Sequence, residues 1–210
     1  MTKKSVPPVL LIHGFLAGPS LMRPMQRRLE RLGYTVHVAE LSSLALQDMN
    51  LLTEQVGASI RMVLQQERAD QIDLVGVSLG GLLAVRYLQK HAPLGQVARV
   101  VAIGTPFQGA WAAAVGLPLF GLFSKSIWQA LPSSDLLEEV QSAGIPDGVA
   151  VTSICMAGDP IAPPKRCRLA GARHVVVRGF PSLVTHQWLV VSKAALKETT
   201  KALERHSICI

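Results

Sequence analysis

The sequence predicts an α/β protein, a doubly wound, mostly parallel sheet of about six strands with helices on both faces and a helical cap inserted after the fourth strand. Three observations lead there. Short apolar or β-branched runs alternate with longer segments whose apolar residues recur every third or fourth position. The polar residues that stand out, His13, Ser78, Thr105, Asp159 and the loop carrying His186, follow the ends of the predicted strands. Those carboxyl ends are where open parallel sheets bind ligands. Finally, 210 residues with 49% hydrophobic content and mean hydropathy +0.32 suffice for one well-filled domain spanning 1–210.

The elements follow in order. Val9-Leu10-Leu11-Ile12 is a continuous apolar run before His13-Gly14-Phe15, as a buried parallel strand requires. Residues 19–33 place Leu21, Met22, Met25, Leu29 and Leu32 at helical spacing with arginines opposite, and Gly33 ends them. Tyr34 to Leu41 reads as a second strand through its β-branched run. A helix from about Leu51 to Arg68 carries Leu52, Val56, Ile60, Val63 and Leu64 on one face. Ile72 to Val77 is the third strand, Leu79 to His91 the next helix, and Val97 to Ile103 the fourth strand. The alternation then stops. Residues 107–146 hold no convincing strand but carry Phe107, Trp111, Phe120, Phe123 and Trp128, half of the aromatic residues. Val149 to Met156 resumes as the fifth strand, His174 to Val177 is the sixth, and Gln187 to Arg205 is the closing helix.

Chemistry concentrates in Ile72–Gly81, an apolar run, a Gly76-Val77-Ser78-Leu79-Gly80 turn and the start of an apolar-periodic segment. This is the pattern of a nucleophile elbow, in which a serine is lifted clear of the sheet on a strained turn. Side chains two positions either side would collide in so tight a bend, hence Gly76 and Gly80. The helix that follows points backbone N–H groups and its positive dipole end toward the serine, which favours an oxyanion there.

Composition excludes several alternatives. The 21 basic and 14 acidic residues give +7, but the cations are scattered, with four arginines on one predicted helix and Lys165, Arg166 and Arg168 in one loop. No nucleic-acid motif accompanies them, so a solvated basic surface is expected and no nucleic-acid partner. Cys155, Cys167 and Cys209 are an odd set without paired spacing, which predicts free thiols in a reducing compartment. The start of the chain lacks a secretory apolar segment, so a cytoplasmic location is expected. The uncharged stretch between Arg99 and Lys125 is broken by Gly104-Thr105-Pro106 and Gln108-Gly109 into pieces too short to span a membrane. No His, Cys, Asp or Glu cluster has metal-ligand spacing, and the glycine-rich turn lacks a P-loop lysine, so no metal or other cofactor is expected.

On His13-Gly14-Phe15, Gly76-Val77-Ser78-Leu79-Gly80-Gly81, Gly104-Thr105-Pro106-Phe107, Gly158-Asp159 and Thr185-His186, the sequence resembles the α/β-hydrolase superfamily, in its compact lipase and esterase branch. The likeness runs along essentially the whole chain. It begins at the strand equivalent to the family's third. The family's order of serine, then acid, then histidine is met by Ser78, Asp159 and His186. The resemblance implies Ser78 as nucleophile, His186 as general base and Asp159 as its orienting acid. It implies an oxyanion hole from the backbone N–H groups of Leu79 and Phe15. Many relatives carry histidine where this chain has Val77, and methionine or glutamine where it has Leu79.

Rival residues are weaker. Asp147 precedes its strand instead of following it, and His174 begins the sixth strand, at the wrong end of the sheet. His13 serves better to order the oxyanion turn. The segment 107–146 lies where the family places its lid, and Phe107, Trp111, Phe120, Phe123 and Trp128 are candidate walls of an apolar acyl pocket. Packing of the cap onto the body, or a dimer contact, would account for the same aromatics. The expected activity is hydrolysis of carboxylic esters with an apolar acyl group. Thioester hydrolysis, acyl transfer and a non-catalytic binding role are the alternatives. The expected partner is an ester or lipid-like small molecule, with weak contact to anionic lipid left open and the oligomeric state undetermined.

Overall fold

Six strands make one sheet in a computed structural model that describes residues 6–110, 124–179, 181–182 and 184–205. In chain order they are β1 (Val9–Ile12), β2 (Val36–Val38), β3 (Ile72–Val77), β4 (Val97–Ile103), β5 (Ala150–Met156) and β6 (Arg173–Val177). Their spatial order is β2-β1-β3-β4-β5-β6, and every pairing is parallel. The helices are α1 (Pro19–Glu30), α2 (Met49–Glu67), α3 (Leu79–Lys90), α4 (Lys125–Gln129), α5 (Asp135–Ser142), α6 (Thr185–Trp188) and α7 (Lys193–Glu204).

Local chemistry sets the helix ends. Pro19, with its fixed φ, starts α1, and Arg27 and Arg28 fill its last turn, where a helix dipole favours cations. Asp48 caps α2 by accepting from the Asn50 N–H at 2.8 Å, and Ser192 caps α7 by accepting from Ala195 N–H at 3.2 Å.

Two apolar layers flank the sheet. On one face α2, α3 and α5 pack Leu52, Ile60, Leu83 and Leu137 against Leu10, Ile12, Leu74 and Val100. On the other, Met22, Met25 and Leu29 of α1 and Ala195, Ala202 and Leu203 of α7 cover Val9, Leu11, Val75 and Val101. Strands buried on both faces need no polar alternation, and β1 and β3 have every residue buried. Each fully covered aliphatic side chain contributes about 1.5–3 kcal/mol relative to exposure. Because β1 leads into α1 on one face and β3 into α3 on the other, the loops beyond these neighbouring strands diverge. Such a reversal at the carboxyl ends is where open parallel sheets place their ligand sites.

Two expected boundaries are corrected. The strand expected over Tyr34–Leu41 is only Val36–Val38, because this edge strand pairs on one side alone, with β1. The closing helix expected over Gln187–Arg205 is split into α6 and α7, with Ser192 starting a new cap between them. The expected mostly parallel sheet is observed, with every pairing among the described residues parallel. Between 107 and 146 the described residues contain two short helices, α4 and α5, and no strand. Among the described residues no helix is long and apolar enough to cross a membrane.

Candidate active site

Ser78 lies at the turn between β3 and α3 with φ 55° and ψ −122°, a conformation that L-residues rarely adopt. The turn persists because its surroundings over-determine it. Ser78 N–H donates to the Ile103 carbonyl at 2.8 Å, and the Ser78 carbonyl accepts from Gly81 N–H at 3.0 Å. The same carbonyl accepts from Thr105 Oγ1 at 3.0 Å, so the loop after β4 braces the strained turn. A Cβ on Gly76 would lie 2.3 Å from the Gly80 carbonyl oxygen, and one on Gly80 would lie 2.2 Å from that of Ile12. Those atoms are backbone and cannot step aside. The two glycines therefore let the elbow close on itself and on the end of β1. Its neighbours in the turn are buried, whereas Ser78 keeps partial exposure.

The loops beyond β5 and β6 bring two more side chains to this hydroxyl. His186, at the start of α6, places Nε2 2.9 Å from Ser78 Oγ. Its Nδ1 lies 2.7 Å from Asp159 Oδ2. Asp159 Oδ1 accepts from the Ile161 N–H at 2.9 Å and the Ala162 N–H at 3.1 Å, so both carboxylate oxygens are occupied. Burial by itself would push this carboxyl up. The hydrogen bond and charge of His186 and the two backbone N–H groups outweigh it, and the pKa falls below the ordinary carboxylate value. An ionised Asp159 holds Nδ1 protonated, leaving Nε2 free to accept the Ser78 proton.

The loop after β1 forms the opposite wall. A Cβ on Gly14 would stand 3.0 Å from Ser78 Cβ and 3.6 Å from Leu79 N, so the His13-Gly14-Phe15 backbone runs against the elbow. Leu79 is the first residue of α3, where an N–H has no partner within its own helix. His13 is fully buried and its Nδ1 donates to the Gly14 carbonyl at 3.1 Å. Burial lowers its pKa against the opposing pull of that bond, which fits a neutral ring ordering the loop.

Matches to known proteins follow the same outline. A profile described as the alpha/beta hydrolase fold matches residues 7–110, which include the loop after β1 and the elbow. The chain belongs to the α/β-hydrolase superfamily. A triacylglycerol lipase of Pseudarthrobacter phenanthrenivorans is 38% identical over 110 residues, 49% of this chain and 34% of that protein. One of Burkholderia plantarii is 38% identical over 110 residues, 49% of this chain and 30% of that protein. The matched stretch thus spans only about a third of these curated relatives. Among solved structures, the mature lipase BlEst2 of Bacillus licheniformis superposes with TM-score 0.78 at 17% identity, covering 94% of this chain and 91% of that one. That likeness is one of α/β-hydrolase architecture.

The candidate acyl-pocket residues fare differently. Phe107 is fully buried in the core beside α3 and α5, with no surface to offer a ligand. It is a packing residue, because Gly104-Thr105-Pro106 turns the chain back onto the α/β-hydrolase core before the cap begins. Trp111, Phe120 and Phe123 lie outside the described residues. Trp128 is 52% exposed and lines a cleft of about 480 Å³ with Asn50, Arg86 and Glu139. That cleft is the larger of two described, yet Ser78, Asp159 and His186 are absent from its lining. Its buried Arg86 is already held by Asn50 Oδ1 at 2.5 Å and Glu139 Oε2 at 2.8 Å, which makes it a strut between α2, α3 and α5.

Sequence reasoning gave no role to three contributors: Thr105 Oγ1 and the Ile161 and Ala162 N–H groups. Thr105 stands out as a polar residue after a strand, which was the available signal. The backbone donors leave no trace in residue identity. Among the described residues no group of His, Cys, Asp and Glu is arranged to hold a metal ion.

Proposed function

We propose that the chain is a serine hydrolase that cleaves carboxylic esters with an apolar acyl group through an acyl-enzyme. The observation carrying this reading is the continuous relay from Ser78 Oγ to His186 Nε2 at 2.9 Å and from His186 Nδ1 to Asp159 at 2.7 Å. The triacylglycerol lipases matched across 49% of the chain support the substrate class.

In the first half-reaction Ser78 Oγ attacks the acyl carbonyl carbon as His186 Nε2 takes the hydroxyl proton. The carbonyl π electrons move onto oxygen. The backbone N–H of Leu79 receives that oxyanion, with Phe15 N–H as the second donor. Collapse expels the alkoxide, which His186 protonates, leaving the acyl group on Ser78. Water then enters, gives its proton to the same nitrogen and attacks the ester carbon, and collapse returns the carboxylic acid and free Ser78. Asp159 stays ionised throughout and stabilises the imidazolium formed in each half.

The test is turnover of p-nitrophenyl esters from acetyl to palmitoyl, with the matching thioesters alongside. The reading expects kcat/KM to rise from acetyl to longer chains and Ser78→Ala to cut kcat by about 10⁵–10⁶-fold. Undiminished turnover by Ser78→Ala, or none by folded wild-type protein, overturns it. A preference for thioesters would move the assignment to acyl-thioester chemistry with the same residues.

A further inference from the structure

Directly behind the Asp159 loop are two thiols that the relay does not use. Cys155 lies on β5, and Cys167 ends the short helical turn Pro164–Cys167. Both are completely buried, and with Ala162 they form a small cluster separate from the two main apolar layers. Cys155 Sγ donates to the Val175 carbonyl of β6 at 3.4 Å, and Cys167 Sγ donates to the Ala162 carbonyl at 3.3 Å. The Cys167 carbonyl in turn accepts from Ser153 Oγ at 2.8 Å, which ties the far end of the loop back to β5. Ala162 is also the residue whose N–H reaches Asp159 Oδ1. The chain between the two cysteines is therefore the loop that carries and satisfies the acid, and the cysteines meet at its base.

We propose that Cys155 and Cys167 are a disulfide-forming modification site that closes the Asp159 loop covalently when a peroxide is present. The chemistry balances in two steps. The Cys155 sulfur attacks one oxygen of hydrogen peroxide, the O–O bond breaks, and a sulfenic acid and one water result. The Cys167 sulfur then attacks the Cys155 sulfur, the S–O bond breaks, the S–S bond forms, and a second water leaves with the Cys167 proton. Two thiols have lost two electrons and two protons, and one peroxide has become two waters. A small neutral oxidant suits so covered a site.

The order of attack follows from the pair itself. The neighbouring Cys167 lowers the Cys155 pKa against the opposing pull of burial, while the neighbouring Cys155 and burial together push Cys167 up. Cys155 is thus the sulfur that ionises first. Closing the loop restrains the unfolded chain as well as the native acid loop, so the oxidised form is the more stable one.

The experiment needs no ester turnover, so it stands or falls apart from the proposed function. The reduced full chain is treated with hydrogen peroxide, quenched with maleimide under denaturing conditions and peptide-mapped. The expected product is a Cys155–Cys167 cross-link lighter than the reduced pair by two hydrogens, distinct from any bond to Cys209. It forms with a rise in Tm of about 5 °C that dithiothreitol reverses. Cys167→Ser should stop at a dimedone-trappable sulfenic acid on Cys155. Unreacted thiols, sulfinic acid at either position, or a cross-linked form with lower Tm overturns the proposal. The wild-type map decides even if the variant does not fold.

Discussion

The two ends of the sheet bury the same residue types to opposite effect. Asp159 lies beyond the carboxyl end of β5, and Asp73 lies near the amino end of β3; neither side chain has exposed surface. Asp159 fills both oxygens with an imidazole and two backbone N–H groups, and its pKa falls. Asp73 has Arg99 Nε on Oδ1 at 2.8 Å, but Oδ2 has no partner among the described residues. There burial outweighs the arginine's hydrogen bond and charge, and the pKa is pushed up to about 6. The histidines repeat the contrast. His186 uses both ring nitrogens, toward Ser78 and Asp159, whereas His174 at the start of β6 accepts from Leu169 N–H at 3.1 Å and its Nδ1 has no partner among the described residues. The side chains at the carboxyl end thus have every polar atom partnered, whereas Asp73 and His174 each keep one polar atom without a partner among the described residues.

The largest test of that contrast exchanges the two histidines in turn. His186→Ala should lower kcat on a soluble ester by about 10⁶-fold with the fold intact. His174→Ala should leave kcat unchanged in folded protein and lower the denaturation midpoint. An equal loss of kcat in a stable His174→Ala variant would erase the distinction.

A smaller effect is expected from the acid. Asp159→Asn keeps the shape but allows the wrong imidazole tautomer, and a kcat loss of about 10⁴-fold should follow. Asp73→Asn should leave kcat unchanged. Pre-steady-state release of p-nitrophenol measures both, since a lost tautomer slows acylation itself.

The smallest is a stability difference with a definite sign. Asp73 binds its proton more tightly in the folded protein, so between pH 4 and pH 6 the native state holds more protons than the unfolded one. Stability from this group is complete below the unfolded pKa and is lost as pH rises through about 6. Denaturant titrations should show wild type losing up to ~3 kcal/mol relative to Asp73→Asn over that interval. An opposite slope would mean that Arg99 more than compensates the burial.

How much was legible beforehand follows the same physics. Strands buried on both faces, β1, β3 and β4, were marked by apolar runs that charge interrupts only at Asp73 and Arg99, and their observed limits match the expected ones. Edge strand β2 was overextended because Tyr34 and Thr35 before it and the apolar Ala39 and Leu41 after it continue a strand-like run beyond its pairing with β1. The α6–α7 break was missed because Leu189 and Val190 keep a helical apolar pattern across it, packing as core residues from a turn. In the candidate site, Ser78, Asp159 and His186, singled out by type, order and place after strands, are brought within hydrogen-bond distance of one another. What braces them was hidden, because Ile161 and Ala162 act through backbone N–H groups that any residue but proline possesses. Phe107 shows the converse error, since aromatic density marks a pocket wall and a core plug alike.

The central claim is that the strained, relay-linked Ser78 is an activated nucleophile. Reaction of the folded protein with a fluorophosphonate, followed by peptide mass mapping, tests it most directly. The account predicts a single adduct on Ser78, absent from Ser78→Ala and strongly slowed in His186→Ala. No adduct on well-folded protein, or one that maps to a different serine, would contradict it.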